Sequence, residues 1–152
     1  MHAQKYRSID PAYIPYTIKE YRYWTLSIHN DQRYLGRSYA WLVREGEMQR
    51  LSEITDEEMF ELRLVMREYE KALRKLWSPD FMNYAWLANL FEEHGGHRHL
   101  HLIPRYKYAR TFANVTFVDG RWGKNYAPFE AFKPEEHLLL EIRDALRVAV
   151  AP

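Results

Sequence analysis

The chain has no cysteine among its 152 residues. Disulfides, thiol nucleophiles and thiolate-rich zinc sites are therefore excluded. It also lacks any apolar run approaching the roughly 18–20 residues that a membrane-spanning helix needs. An excess of one charge is missing as well. The 22 Lys and Arg against 21 Asp and Glu leave +1 with neutral histidines, so nothing points to bulk nucleic acid or to acidic membranes as partners. The opening Met1-His2-Ala3-Gln4-Lys5-Tyr6-Arg7 holds none of the apolar stretch of a secretory signal. No internal repeat, low-complexity tract or flexible linker interrupts the chain. These absences predict a soluble, cytoplasmic protein of one domain, 1–152, long enough to bury a real core.

What the chain does have is concentrated histidine. His97, His99 and His101 alternate in the run His-Arg-His-Leu-His-Leu-Ile-Pro-Arg-Tyr, 97 to 106. In a β-strand, alternate side chains share a face, so the three imidazoles line one side while Leu100 and Leu102 point to an apolar layer. Pro104 marks the expected end of this strand. Three readings compete: a surface strand with spare histidines, a metal site, and a nucleophilic imidazole flanked by two helpers. Two histidines at i and i+2 can share a zinc, but the outer two of three begin about 13 Å apart along a strand, too far for one ion without a bulge. Imidazole acts as nucleophile, acid or base near neutral pH, and the geometry favours that third reading.

The rest of the chain predicts an α+β domain with a mainly antiparallel sheet. Residues 1 to 20 read as an extended or irregular lead-in with Pro11 and Pro15. Tyr23 to Ile28, Ser38 to Arg44, Phe81 to Leu87 and His97 to Ile103 read as strands. Thr55 and Glu58 form a capping-box pattern, followed by Met59, Leu62, Met66, Tyr69, Leu73 and Leu76 at helical spacing and a stop at Ser78-Pro79-Asp80. A second helix opens near Pro134 and runs through Leu138, Leu139, Ile142, Leu146 and Ala149. Aromatic content, at 16%, suits a cleft for flat bases, though core packing accounts for most of it.

The run His97-Arg98-His99-Leu100-His101-Leu102-Ile103 resembles the signature of the histidine triad (HIT) hydrolases and nucleotidyl transferases, with Arg98 the one departure. The Pro104-Arg105-Tyr106 that follows resembles the branch of diadenosine tetraphosphate hydrolase-like proteins. Tyr34-Leu35-Gly36-Arg37-Ser38, leading into Tyr39-Ala40-Trp41-Leu42-Val43, and Met82 to Asn89 are similar to two further family segments. The resemblance covers a core of about 20–110 and implies a HIT-like fold with two flanking helices, followed by a C-terminal segment and helix at 105–150.

The resemblance also implies a chemistry. His99 becomes the nucleophile on the α-phosphorus of a dinucleoside polyphosphate or related nucleotide conjugate, forming a nucleotidyl-histidine that water hydrolyses. His97 and His101 contact phosphoryl oxygens or the leaving group. No cofactor is required, and no metal is held by the protein. A divalent cation such as Mg enters as substrate counter-ion. HIT proteins are often homodimers, which makes a homodimer the expected assembly. The same family includes transferases and phosphorylases, and a nucleotide-binding module with little turnover is a further alternative.

Several positions depart from the family pattern. Arg37 stands where many relatives carry a fourth histidine, and it can pair with phosphate or face solvent. His29, with Asn30 beside it, falls where relatives place an Asp or Asn for the ribose hydroxyls. Asn89 matches a phosphate-side or ribose-side asparagine. The stretch from Leu90 to Gly96 replaces the usual approach to the triad, and His94 within it is a candidate proton donor. Between 104 and 128, Arg105, Lys107, Arg110, Arg121 and Lys124 face only Asp119, with aromatic residues interleaved. That composition, with Arg105 counted among the substrate-binding candidates, suits distal phosphates and a base, or a dimer interface.

Overall fold

Alternation at period two runs through the middle of the chain, and the sheet is built on it. The computed structural model describes residues 11–44, 50–87, 99–127 and 131–152. Five strands, β1 (Thr17–Glu20), β2 (Trp24–Ile28), β3 (Ser38–Leu42), β4 (Phe81–Trp86) and β5 (His99–Arg105), form one sheet in the order β1-β2-β3-β5-β4. Every neighbouring pair is antiparallel. Leu26, Ala40, Leu100 and Leu102 lie on one face and enter the main hydrophobic core. Two helices, α1 (Asp56–Leu76) and α2 (Glu136–Val150), cover that face with Leu62, Val65, Tyr69, Leu73, Ile142 and Leu146. The fold is α+β with an antiparallel sheet and two helices, as the sequence predicts. No helix among the described residues is long and apolar enough to cross a membrane.

The capping box forms as read. Glu58 N–H donates to Thr55 Oγ1 at 3.2 Å, and Thr55 N–H donates to Glu58 Oε2 at 3.0 Å. Acids occupy the first turn of α1 and Arg74 and Lys75 the last, each end matched to the helix dipole. The apolar stripe differs in detail: Met59 is 43% exposed, while Val65 and Ala72 are buried. Glu58 takes the inner position of that first turn, because its carboxylate also holds Arg44 at 2.6 Å.

Three local features depart from the sequence reading. The lead-in contains a 3-10 turn, Pro11–Tyr16, and then the edge strand β1, whose register with β2 is irregular between Thr17 and Lys19. Arg147 of α2 holds this strand through Thr17 O at 2.8 Å, a long-range tie that no local pattern announces. Residues 110–117 form a hairpin, β6 (Arg110–Phe112) and β7 (Val115–Phe117), turning on Ala113 and Asn114 with φ of 50° and 63°. Such turns usually advertise themselves with glycine, which is absent here. Finally, Pro104 does not end its strand. Pairing with β3 stops at Ser38↔Leu102, so Pro104 lies where β5 has lost one neighbour and a missing donor is tolerated.

Gly36 joins the helix layer to the site loop. Its φ is +88°, its N–H donates to Gln32 Oε1 at 2.8 Å, and its carbonyl accepts from Tyr69 Oη at 2.6 Å. A methyl added there would lie 2.8 Å from Leu73 Cδ2 and 2.9 Å from Trp77 Cζ3. Gly36→Ala is therefore expected to lower the unfolding free energy by about 1–3 kcal/mol, through strain and overpacking together, as read from the urea midpoint.

Candidate functional site

β5 runs between β3 and β4, so its backbone is held on both sides from Leu100 to Leu102 and by β3 at His99. His101 is opposite Tyr39 of β3 and Ala85 of β4, and His99 is opposite Trp41. Both imidazoles stand on the face away from the helices. Their Nε2 atoms are 3.1 Å apart, with ring centroids 4.7 Å apart. At that distance one Nε2 carries the hydrogen and the other offers its lone pair. His101 is buried at 6% exposure and His99 half-buried.

The loop between β2 and β3 brings a third imidazole. His29 lies 5.7 Å from His101 between ring centroids. Its Nδ1 accepts from the Asp31 N–H at 3.0 Å, which puts the ring hydrogen on Nε2. Burial, then the nearby Arg37 and His99, push its pKa down to about 3, so the ring is neutral. Arg37 is itself 8% exposed, paired with Asp31 Oδ2 through Nη1 at 3.2 Å, and lies 5.6 Å over the Tyr126 ring. Its Nε is buried and has no acceptor among the described residues. Gln32 is the organiser of the loop. Its side chain donates to His29 O at 2.6 Å and Arg37 O at 2.8 Å, and accepts from Gly36 N–H.

These residues border a pocket of about 310 Å³. Its walls are His29, Asn30, His99 and His101 with Tyr13, Tyr16, Ile28, Tyr39 and Trp41. The structure thus brings together four of the sequence-predicted site residues, with Arg37 against His29. The aromatic walls went unassigned in the sequence; their only signal was the aromatic content. Burial raises the Tyr39 hydroxyl to about 12, so it remains a neutral phenol. Trp41 meets Tyr13 edge-on at 6.1 Å, leaving flat apolar surface for a planar ligand.

Arg105 is placed elsewhere. It sits at the far end of β5, 5% exposed, and all five of its N–H donors have acceptors in the protein. Nε and Nη2 bind Asp119 at 2.7 and 3.1 Å; Nη1 binds Asn83 Oδ1 and Lys124 O, and Nη2 also binds Arg121 O. A guanidinium so occupied positions its loop and offers no free hydrogen to a phosphate. Asn89, His94 and His97 lie outside the described residues. Among the described residues no group of three or more His, Asp or Glu side chains converges as a metal site would require.

The neutral His29 has a consequence for stability. Unfolded, it titrates near 6.5; folded, near 3. The unfolded chain therefore binds the extra proton throughout that window. The contribution is whole above pH 6.5 and is lost as pH falls toward 3, by about 1.4 kcal/mol per pH unit. The unfolding free energy of wild type minus that of His29→Gln should fall with that slope between pH 6 and 4 in urea titrations. A difference independent of pH would contradict a buried neutral ring.

At the level of sequence no family model matches the chain, and neither does any curated protein. Its shape, in contrast, is shared with solved structures. A histidine triad protein from Sinorhizobium meliloti superposes with a TM-score of 0.69 at 15% identity, over 92% of this chain and 94% of that one. One from Bradyrhizobium japonicum gives 0.67 at 16% identity, covering 97% and 100%. A third, from Marinobacter aquaeolei, gives 0.66 at 18% identity, covering 96% and 97%. Coverage is 92–97% of this chain and 94–100% of those, so the likeness is one of the fold as a whole. The chain has the fold of the histidine triad proteins.

Proposed function

We propose that this protein is a histidine triad nucleotide hydrolase, acting at the α-phosphate of dinucleoside polyphosphates or related nucleotide conjugates. The observation that carries the reading is the His99–His101 contact, 3.1 Å between Nε2 atoms, in an aromatic-walled pocket with His29. With the hydrogen on His101, the His99 Nε2 is unprotonated, and the lone pair that accepts from His101 becomes the nucleophile once that hydrogen turns to substrate.

The proposed reaction has two displacements. His99 Nε2 attacks the α-phosphorus, a P–N bond forms, and the bond to the leaving group breaks. The leaving group departs as a phosphate, nucleotide or amine and takes up a proton. Water then attacks the same phosphorus and gives up a proton that replaces the one taken by the leaving group, the P–N bond breaks, and His99 regains its lone pair. His101 swings its N–H from His99 to a phosphoryl oxygen as substrate enters, and His97 serves the leaving-group side. The base stacks among Tyr13, Tyr16 and Trp41, and Asn30 with the His29 Nε2–H faces the sugar. A divalent cation such as Mg²⁺ accompanies the polyphosphate as counter-ion. Phosphoryl chemistry of this kind depends on positioning and charge stabilisation more than on covalent assistance.

A second reading, a nucleotide-binding module with little turnover, is favoured by the one observation that Arg37 is turned into an ion pair with Asp31. Rapidly quenched intact-protein mass spectrometry separates the two. With diadenosine tetraphosphate and adenosine phosphoramidate as probes, a nucleotidyl adduct and free products are expected, and His99→Ala should abolish both. His101→Ala should keep nucleotide binding and lower kcat about 10²–10⁴-fold, the usual worth of a positioned proton donor. An adduct without turnover would indicate a transferase or phosphorylase awaiting its acceptor. Binding with neither adduct nor product would leave the module.

A further inference from the structure

The same face of the sheet carries a second cavity, of about 620 Å³, at the opposite end of β4 and β5. Phe81 and Trp122 stack across its edge, ring centroids 6.0 Å apart and planes inclined by 21°. Asn83, Lys124 and Tyr126 are among its other walls. Phe81 is 70% exposed, a large apolar ring left open beside a polar floor. The cavity is not a gap between loosely packed loops. Arg105 ties the 119–126 segment to β5 through Asp119 and the carbonyls of Arg121 and Lys124, and that tie lays Trp122 against Phe81.

Charge and position identify an occupant. Asp119 spends its charge on Arg105, while the exposed Lys124 ammonium has no carboxylate partner among the described residues. The cavity therefore attracts anions and offers a ring on which a base can stack. Register places Phe81↔Arg105 four residues from Ala85↔His101, or about 13 Å along the strand. The pair Asn83↔Ile103 lies between, with Ile103 buried and Asn83 held by Arg105. Tyr126 links the two cavities: it walls the second and lies under the Arg37 guanidinium, which itself stands beside His29. Arg37 keeps a buried, unpartnered Nε at this junction.

The geometry points to a distal nucleoside subsite: the Phe81–Trp122 shelf stacks the base of the leaving nucleotide while Lys124 flanks the phosphates that lead to it. This rests on the hydrolase reading above and narrows its substrate class to dinucleoside polyphosphates. A mononucleotide seated at His99 does not reach the shelf.

The test compares diadenosine tetraphosphate, which has a distal nucleoside, with adenosine phosphoramidate, which has none. Stacking of one base is worth roughly a five- to 150-fold effect. Trp122→Ala should lower the ratio of kcat/KM for the dinucleotide over the phosphoramidate by such a factor, and Trp122→Phe should restore most of it. Lys124→Glu, at an exposed position, should lower the same ratio and decides the matter if Trp122→Ala does not fold. An unchanged ratio overturns the shelf and leaves the hydrolase standing. If wild type turns over neither compound, the hydrolase reading fails and tryptophan fluorescence judges the shelf. Quenching by diadenosine tetraphosphate that is reduced in Trp122→Phe, the part due to Trp41 remaining, supports it, and equal quenching in both proteins overturns it. An unchanged ratio together with a fall from dimer to monomer in Trp122→Ala makes the shelf an interface between copies instead.

Discussion

β5 uses both of its faces, and the rest of the molecule depends on that division. Leu100 and Leu102 enter the core beneath the helices, while His99 and His101 stand on the other side. A slip of one residue would exchange the two sets. Each leucine brought out of the core forfeits about 1.5–3 kcal/mol, and each imidazole driven into it loses its polar partners. The hydrophobic core therefore fixes the direction in which the histidines point. Pairing to β3 and β4 then fixes their height above the sheet, which is what a 3.1 Å contact between two side chains requires.

The loop at 29–37 is held by the same core from below. Tyr69 of α1 reaches Gly36 O at 2.6 Å and Tyr106, just past β5, reaches Leu35 O at 2.6 Å. From within, Gln32 joins the two ends of the loop by bonding both His29 O and Arg37 O. His29 thus enters the pocket from a rigid turn with its tautomer already set by Asp31. Arg37 follows it as a neighbouring fixed positive charge, which helps keep the imidazole neutral. The electrostatics of the pocket are properties of the loop's hydrogen bonds, not of a flexible surface.

The sequence was most legible where a pattern is local. Period two through His97, His99 and His101 put the histidines on one face, which His99 and His101 share, and Thr55 with Glu58 marked the start of α1. What remained hidden depends on contacts between distant residues. β1 is a short strand at the sheet edge whose partner is supplied by β2 and whose anchor is Arg147, about as far along the chain as it can be. The 110–117 hairpin turns on Ala113 and Asn114 with no glycine to announce it. Arg105 shows the difficulty best. Its place beside the triad in a basic, aromatic stretch suggested a phosphate ligand, yet its donors are consumed by Asp119, Asn83 and two carbonyls. Charge counted along a segment does not reveal which charges are already paired in space.

That lesson applies equally to the acids. Among the described residues, Asp31 and Asp119 beside the two cavities are both turned inward. Asp31 accepts from the N–H groups of Arg33 and Phe132 and from Arg37; Asp119 accepts from Arg105 and from the N–H groups of Tyr106 and Arg121. Each carboxylate is nearly buried and accepts both from its own loop and from chain packed against it, Phe132 for Asp31 and Arg105 with Tyr106 for Asp119. Their negative charge is thereby used to fold the two loops, so that what faces the space between them is a set of hydrogen-bond donors and aromatic rings. Stabilising the loops and clearing the site of repulsion are the same act here. It explains how a chain with almost no net charge can still offer an anionic ligand a favourable surface.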